Sequence, residues 1–451
     1  MRKNKYSSYS SSPRRKLGLR SILLILLIGL PLLLLIAELI ARGVVLATGP
    51  AGQVAKGVSI AQAYTLKLQD ANGRVYPGLP ISGKLQVRRS PLMGYELVPS
   101  QSSDYWQIND QGFRQDSSVA TEKPVGEIRV FLVGNSTAFS YMAASNQQAL
   151  AFKLEKLLND RVRLQNQQPN QFKPKELPYF ADQIEASRAL PPRIRDGSYR
   201  VIAAAVPGYN SSNELALIAH RVMQFRPDAL IVLDGYEDLR SPSQESAHEL
   251  VNLEQLLQDP MAQYRQQVSQ NFNAWLDSFY LMQALHRWVL PPQAPPVEGG
   301  YQIFSADRIG NDPKEVRSRI ERYRYNIQQI AKLTAGIPTI VAIQPEITGK
   351  QDALTPEETE LLKRLGGDYT KRAEKAYAEL ESKILSYNLP NAKLLSFYQA
   401  FSNFKKQAFQ DPIHLTDAAN DFVADRLYTN LADAFAVQPT SPTPQSESLG
   451  R

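Results

Sequence analysis

Two segments far apart in the chain carry residue types that could perform nucleophilic catalysis. The tripeptide Gly-Asn-Ser at residues 134–136 directly follows an apolar run, so its serine would stand on a tight turn after a strand. The segment Asp-Pro-Ile-His at residues 411–414 places a histidine three residues after an aspartate. A serine hydroxyl needs a base to take its proton, and the base works best when a carboxylate fixes its tautomer. Ser136, His414 and Asp411 therefore form a candidate catalytic triad.

The choice of base is narrow because the chain has only four histidines, which are His220, His248, His286 and His414. His414 alone has an aspartate at this short spacing. Each member of the candidate triad also has a purely structural alternative. Ser136 could cap a helix N-terminus, Asp411 could form a turn before proline, and His414 could pack against a final helix.

The region that must position these residues alternates between apolar runs and helical patterns. Strands are predicted at residues 128–133, 201–206, 229–233, 339–343 and 393–397. The spacing of apolar residues predicts helices at about 149–158, 215–225, 316–330, 356–387 (with a break at Gly366-Gly367) and 417–435. Such alternation is typical of an α/β fold with a parallel sheet and helices on both faces.

The candidate residues follow the predicted strands closely. Ser136 follows the first strand, Gly208 the second and Gly235 the third. In open α/β sheets, ligands bind outside the carboxyl ends of the strands. The pattern therefore predicts a single site at this edge of the sheet.

Four blocks of the chain resemble, in order, the motifs of the SGNH/GDSL hydrolase superfamily. They are Gly-Asn-Ser-Thr at 134–137, Pro-Gly-Tyr at 207–209, Gly-Tyr-Glu-Asp at 235–238 and Asp-Pro-Ile-His at 411–414. The segments 108–114 and 414–416 look like those of membrane-anchored bacterial members. The resemblance covers roughly residues 105–436. It implies a flavodoxin-like three-layer sandwich of SGNH type, preceded by one transmembrane helix.

The resemblance implies a role for each matching residue. Ser136 matches the nucleophile, His414 the base and Asp411 the carboxylate that orients this base. The backbone N–H groups of Ser136 and Gly208 match two donors of the oxyanion hole. The implied reaction is acyl transfer through an acyl-serine, with water as the usual acceptor and with no cofactor.

Two positions depart from the family pattern. Asn135 stands where the family has aspartate, which is a mild change because this residue is not the nucleophile. Glu237 replaces the asparagine whose amide donates to the oxyanion, and an ionised glutamate cannot donate. Three outcomes follow: burial keeps Glu237 protonated, Asn210 or Asn213 supplies the donor, or the protein is a weak or inactive relative.

These departures leave three functions open. The first is a membrane-anchored serine esterase acting on a small ester or on an acetylated cell-surface glycan. The second is an acetyltransferase of exopolysaccharide on the same scaffold, since the triad and oxyanion hole are shared. The third is a non-catalytic protein that binds glycan or partners.

Asp234, Glu237 and Asp238 lack a clustered histidine, so no metal site is predicted.

The N-terminus predicts a membrane anchor. Residues 1–20 are basic, and residues 21–47 are mostly apolar and long enough for a helix that crosses the lipid bilayer. Because positive flanks stay in the cytoplasm, the N-terminus would lie inside and the main domain in the periplasm of a bacterial inner membrane. A cleavable signal peptide is the alternative, although the apolar run exceeds the usual length.

Composition excludes several other classes. The first twenty residues hold as many basic residues as the net charge of +7, so the rest of the chain is about neutral and nucleic-acid binding is not indicated. The chain has no cysteine, which excludes disulfides and thiol catalysis.

The predicted organisation has a linker and small β-rich region at 48–104 and the main domain at 105–436. This domain has insertions at about 165–196 and 241–309, and a disordered tail follows at 437–451.

Overall fold

The computed structural model describes residues 29–48, 60–69, 83–243 and 309–441. The chain divides into two compact units, of which the first holds residues 1–57 and 266–295 and the second holds the rest. Most of the predicted insertion at 241–309 and most of the predicted tail lie outside the described residues.

The described part of the first unit is a single helix, α1 (Leu30–Thr48). It covers much of the predicted membrane segment at 21–47, and the remainder of that segment lies outside the described residues. Among the residues that the structure describes, no helix is both long and apolar enough to cross a membrane.

The second unit begins with a small β-rich region. Helix α2 (Ile60–Tyr64) leads into β1 (Leu66–Gln69), β2 (Leu85–Ser90) and β3 (Gly94–Leu97). Strand β1 pairs parallel with β2, and β2 pairs antiparallel with β3. Two short strands follow and pair antiparallel, β4 (Gln101–Ser102) and β5 (Gln107–Ile108).

The centre of this unit is a sheet of five parallel strands. They are β6 (Glu127–Gly134), β8 (Ser198–Ala203), β9 (Ala229–Asp234), β10 (Thr339–Ile343) and β11 (Ala392–Ser396). The spatial order is β11-β10-β9-β6-β8. Counted along the chain this is 2-1-3-4-5, which is the flavodoxin-like order. All five strands coincide with the predicted strands to within a few residues, so the predicted α/β class with a parallel sheet is confirmed.

Helices cover both faces of the sheet. On one face α4 (Leu150–Gln167) packs against α11 (Asp417–Ala434) and β8. On the other face α8 (Pro313–Leu333) packs against α6 (Ser211–Leu217), α7 (Tyr236–Arg240) and α10 (Gly367–Leu385). Strands β9 and β10 are buried along their whole length because both of their faces are covered.

Shorter elements complete the described chain. They are α3 (Ser136–Phe139), α5 (Ala181–Arg188), β7 (Arg193–Ile194), α9 (Pro356–Leu365) and β12 (Ala436–Val437). Gly366, with φ of 82°, ends α9 and separates it from α10, as the sequence predicts. Residues 437–441 were expected in the disordered tail, yet β12 pairs with β7 and Thr440 bonds to the backbone of Lys175. These backbone hydrogen bonds require no apolar side chains, so composition gives no sign of them.

Candidate active site

The turn after β6 presents Ser136 at the first position of α3. Gly134 adopts φ of 152°, and a Cβ here would lie 2.2 Å from the carbonyl oxygen of Leu233, so only glycine fits. The side chain of Asn135 caps α3 by accepting a hydrogen bond from the N–H of Thr137 at 3.1 Å. Ser136 is fully buried, and its Oγ has no hydrogen-bond partner among the described residues.

Asn135 also joins the turn that carries Ser136 to the neighbouring strands. Its Nδ2 donates to Oε1 of Gln344, and Nε2 of Gln344 donates to Oγ1 of Thr137 at 3.0 Å. The backbone N–H of Gln344 donates to the carbonyl of Asp234 at 2.7 Å. An aspartate at position 135 could cap the helix but could not donate to Gln344. The departure from the family's Gly-Asp-Ser therefore has a local reason, and sequence reasoning missed Gln344.

The predicted acid and base are bonded to each other. Nδ1 of His414 pairs with Oδ2 of Asp411, and both side chains are buried. Oδ1 of Asp411 accepts hydrogen bonds from the N–H of Ile413 at 3.0 Å and from the N–H of His414 at 2.8 Å. Asp411 therefore forms the turn and orients the imidazole at the same time, so these two interpretations of the residue are compatible. Among the other histidines, His220 is exposed, and the remaining two lie outside the described residues.

Direct contacts join the turn that carries His414 to the helix that carries Ser136. Oγ1 of Thr137 donates to the carbonyl of Ile413 at 3.3 Å, which links the neighbour of the predicted nucleophile to the neighbour of the predicted base. The ring of Tyr141 stacks on the imidazole of His414. The backbone N–H of Tyr141 donates to the carbonyl of Ser136 at 2.9 Å. The structure thus places the turn that carries Asp411 and His414 against the helix that begins at Ser136.

Gly208 lies in the loop after β8, with φ of 86°. This loop is fastened to the nucleophile turn, because the N–H of Val206 donates to the carbonyl of Gly134 at 3.0 Å. On its other side, the hydroxyl of Tyr95 donates to the carbonyl of Pro207 at 2.7 Å. The loop that the family resemblance assigns to the oxyanion hole is therefore held next to Ser136.

Glu237 lies in α7 with only 2% of its surface exposed. Its Oε1 accepts no hydrogen bond from the described residues and faces Nη1 of Arg240 at 3.6 Å. The guanidinium of Arg240 in turn lies over the ring of Tyr236. The carboxylate thus faces a cation, and a carboxylate has no hydrogen to donate to an oxyanion.

The two asparagines that could replace the missing donor differ in their bonding. Nδ2 of Asn213 donates to the carbonyl of Met93 at 2.9 Å. Oδ1 of Asn210 caps α6 by accepting hydrogen bonds from the N–H groups of Ser212 at 3.0 Å and Asn213 at 3.3 Å. Nδ2 of Asn210 is buried and has no partner among the described residues.

Three buried carboxyl groups lie behind the site. Burial raises the pKa of Glu214 well above its ordinary value, and the nearby Asp234 raises it further. Burial also raises the pKa of Asp234 to about 7 and raises that of Asp238. Tyr323 donates to Asp234 at 2.6 Å, and the hydroxyl of Ser211 donates to Asp238 at 2.5 Å. In the described part of the chain, no group of three or more His, Asp or Glu residues is placed to hold a metal ion.

A buried ion pair, which sequence reasoning missed, holds the segment before Asp411. Nζ of Lys350 lies 2.6 Å from Oε2 of Glu358, and both side chains are inaccessible to solvent. Nζ also donates to the carbonyl of Lys406 at 2.9 Å. Oε1 of Glu358 accepts hydrogen bonds from the N–H groups of Ala408 at 2.7 Å and Phe409 at 3.2 Å. The only sequence signal was the capping box that Glu358 forms at the start of α9.

Arg114 binds the carboxyl end of α3. It is fully buried, and its Nη1 donates to the carbonyls of Phe139 at 2.7 Å and Ser140 at 2.9 Å. Its Nη2 donates to the hydroxyl of Tyr64 at 2.8 Å, and its Nε donates to Asn146 at 2.8 Å. The Ile-Asn-Asp-Gln-Gly-Phe-Arg segment noted in the sequence thus supplies a support for α3.

Comparisons with known proteins give distant structural similarity only. No protein-family model matches the chain, and no curated protein matches it. The structure is similar to a lipase/acylhydrolase from Enterococcus faecalis, at 11% identity and a TM-score of 0.32, covering 69% of this chain and 100% of that one. A variant of the acetyl xylan esterase Axe2 from Geobacillus stearothermophilus gives 11% identity and a TM-score of 0.30, covering 71% and 100%.

Proposed function

We propose that this protein is a serine ester hydrolase of the SGNH type that works through an acyl-serine. The observation that carries the proposal is the His414–Asp411 pair, which is held against the helix that begins at Ser136. The residues of this arrangement match two of the family blocks in order. The proposal is therefore supported by the contacts of these residues and by their order in the chain.

In the proposed first half-reaction, Ser136 Oγ attacks the carbonyl carbon of the ester while its proton passes to Nε2 of His414. Asp411 holds Nδ1 and so keeps Nε2 available as the base. The tetrahedral intermediate then collapses, and the alcohol leaves with the proton from His414. The products of this half are the free alcohol and an acyl group bound to Ser136.

In the second half-reaction, His414 removes a proton from water, which attacks the acyl carbon. The carboxylic acid leaves, and the proton returns to Ser136 Oγ. The oxyanion in both halves would be stabilised by the N–H groups of Ser136 and Gly208. Removing a single oxyanion donor typically costs about 2.7–4 kcal/mol in the barrier, so these donors carry much of the catalysis.

We further propose a cellular location and a substrate for this protein. The basic residues 1–20 and the apolar residues 21–47 support an inner-membrane anchor with the N-terminus in the cytoplasm and the hydrolase domain outside it. An ester of a cell-surface glycan, such as an acetylated polysaccharide, is the substrate that this location favours. Protease added to spheroplasts should degrade the hydrolase domain, and protection of the domain would contradict the proposed orientation.

The test of the hydrolase is labelling with a fluorophosphonate probe together with turnover of a short-chain aryl acetate. The wild type should be labelled at Ser136 and should release the phenol, and Ser136→Ala should do neither. Ser140→Ala is a matched control, because Ser140 lies four residues further along the same turn and its Oγ accepts a hydrogen bond from the N–H of Leu150 at 2.8 Å. Labelling that persists in Ser136→Ala would show that Ser136 is not the nucleophile.

The same experiment separates hydrolysis from acetyl transfer. Added polysaccharide that carries free hydroxyl groups should leave the yield of free acetate unchanged for a hydrolase. A transferase would move the acetyl group onto the polysaccharide, and the yield of free acetate would fall.

A further inference from the structure

Buried polar side-chain atoms without partners occur shortly after each of three adjacent strands. Among the described residues these atoms include Oγ of Ser136 after β6, Nδ2 of Asn210 after β8 and Oε1 of Glu237 after β9. Proteins rarely leave buried polar atoms without a hydrogen bond, and a catalytic role is one of the few reasons for such an exception. Two of the three belong to family blocks, whereas Asn210 belongs to none.

The bonding of Asn210 leaves only its Nδ2 group without a partner among the described residues. Its Oδ1 is occupied by the cap of α6, where the N–H groups of Ser212 and Asn213 donate to it. This cap fixes the side chain, so its N–H bonds already have a defined direction. The neighbouring Asn213 forms the second half of the capping box, and its own amide is committed to the carbonyl of Met93.

The position of Asn210 fits a donor in the oxyanion hole. It lies two residues after Gly208, in the loop that the Val206–Gly134 hydrogen bond fastens to the nucleophile turn. Glu237, which stands in the family's donor position, faces Arg240 at 3.6 Å. A donor that is fixed before the reaction loses no free energy in reorganising as the oxyanion forms.

We propose that Nδ2 of Asn210 is the side-chain donor of the oxyanion hole and replaces the amide that the family has at position 237. This inference rests on the proposed serine hydrolase function. It assigns Asn210 a catalytic role through direct contact with the reacting oxygen. Glu237 is then a partner of Arg240 and no longer a member of the oxyanion hole.

The test compares Asn210→Ser with Asn213→Ser, because serine can retain a capping oxygen but lacks the amide donor at the same reach. Asn210→Ser should lower kcat for an aryl acetate by about 100- to 1000-fold, with little change in KM and in the melting temperature. Asn213→Ser should lower the melting temperature and leave kcat within a few-fold of the wild type. The opposite pattern would overturn the proposal.

A rescue experiment excludes a merely structural role. Adding Glu237→Asn to Asn210→Ser restores an amide at the family's position and should recover at least tenfold of the lost kcat. No recovery, together with a lowered melting temperature of Asn210→Ser, would mean that Asn210 only caps α6, and the proposal would be wrong.

The wild-type measurements keep the two proposals apart. If the wild type is labelled and turns over the ester, and Asn210→Ser is equally active, Asn210 is not an oxyanion donor. The proposed hydrolase function would still hold. Absence of both labelling and turnover in the wild type would overturn the hydrolase and this inference together.

Discussion

The aromatic ring of Tyr141 lies almost parallel to the imidazole of His414, with ring centroids 4.3 Å apart and an angle of 20° between the planes. Tyr141 is itself held by Tyr64, whose ring centroid lies 4.9 Å away, and Tyr64 accepts a hydrogen bond from Arg114. The segment before the main domain therefore reaches His414 through a series of packed rings. Asp411 fixes one nitrogen of the imidazole, and Tyr141 fixes the plane of the ring.

Tyr141→Leu should lower kcat by roughly 3- to 30-fold, because an aromatic face stabilises a cationic ring by about 0.5–2 kcal/mol and His414 becomes cationic during the reaction. Tyr141→Phe keeps the face and should retain nearly full kcat. Steady-state kinetics and melting curves of both variants provide the check. Equal losses in the leucine and phenylalanine variants would show that the hydroxyl matters and the stacking does not.

The Lys350–Glu358 pair makes a second prediction, because it holds the backbone just before Asp411. Lys350→Met leaves a buried carboxylate without its cation, which typically costs about 3–5 kcal/mol of folding free energy. The N–H groups of Ala408 and Phe409 would also lose a well-placed acceptor if Glu358 moves. We expect a lower free energy of unfolding in urea and a lower kcat.

The matched control for this pair is the double variant Lys350→Met/Glu358→Gln. Glutamine removes the unpaired charge and keeps an oxygen that can accept from Ala408 and Phe409. The double variant should therefore be more stable than Lys350→Met alone. If the double variant is the less stable of the two, the buried charge is not the cause of the loss.

The sequence alone could predict the five parallel strands, which the structure confirms, and could mark Ser136, Asp411 and His414 as candidates, because both depend on local patterns. Each strand is a short apolar run, and Asp411 and His414 are three residues apart in the chain. The contacts of Gln344, Lys350 and Arg114 could not be predicted in this way. Each joins positions that are far apart in sequence, such as Arg114 to Phe139 and Lys350 to Lys406, so no periodicity or spacing indicates them.

The Glu237 question shows the same limit. The family block predicts a residue in the oxyanion hole, but the residue that replaces asparagine here cannot donate as a carboxylate. The sequence left Asn210 and Asn213 equally placed as substitutes. Only the hydrogen bond from Asn213 to Met93, across 120 residues of chain, separates them.

A third prediction concerns stability and pH. Burial raises the pKa of Asp234 to about 7, whereas an aspartate in the unfolded chain titrates near 4. Between about pH 4 and pH 7 the folded state therefore holds more protons than the unfolded state at this group. The contribution of Asp234 to stability is complete below about pH 4 and is lost as pH rises towards 7.

Asp234→Asn should remove this contribution, because asparagine does not titrate and can still accept a hydrogen bond from Tyr323. Melting temperatures at pH 5 and pH 8 should differ less in the variant than in the wild type. Burial also raises the pKa of Glu346 to about 7, so some pH dependence of the same sign should remain. A variant with the same pH dependence as the wild type would show that Asp234 is ionised in the folded protein.

The last prediction concerns Glu237 itself. Glu237→Asn should leave kcat unchanged or raise it, because a carboxylate next to the oxyanion hole is replaced by a neutral amide. The melting temperature should fall, because Arg240 loses one of its partners in a buried place, at a cost of about 1–3 kcal/mol. Arg240→Met is the matched control, because it removes the cation of the same ion pair and adds no amide donor. It should lower the melting temperature at least as much, because it leaves a buried carboxylate without its cation, and it should not raise kcat. A clear loss of kcat in Glu237→Asn at an unchanged melting temperature would mean that Glu237 takes a direct part in the reaction, and the oxyanion role would then have to be assigned anew.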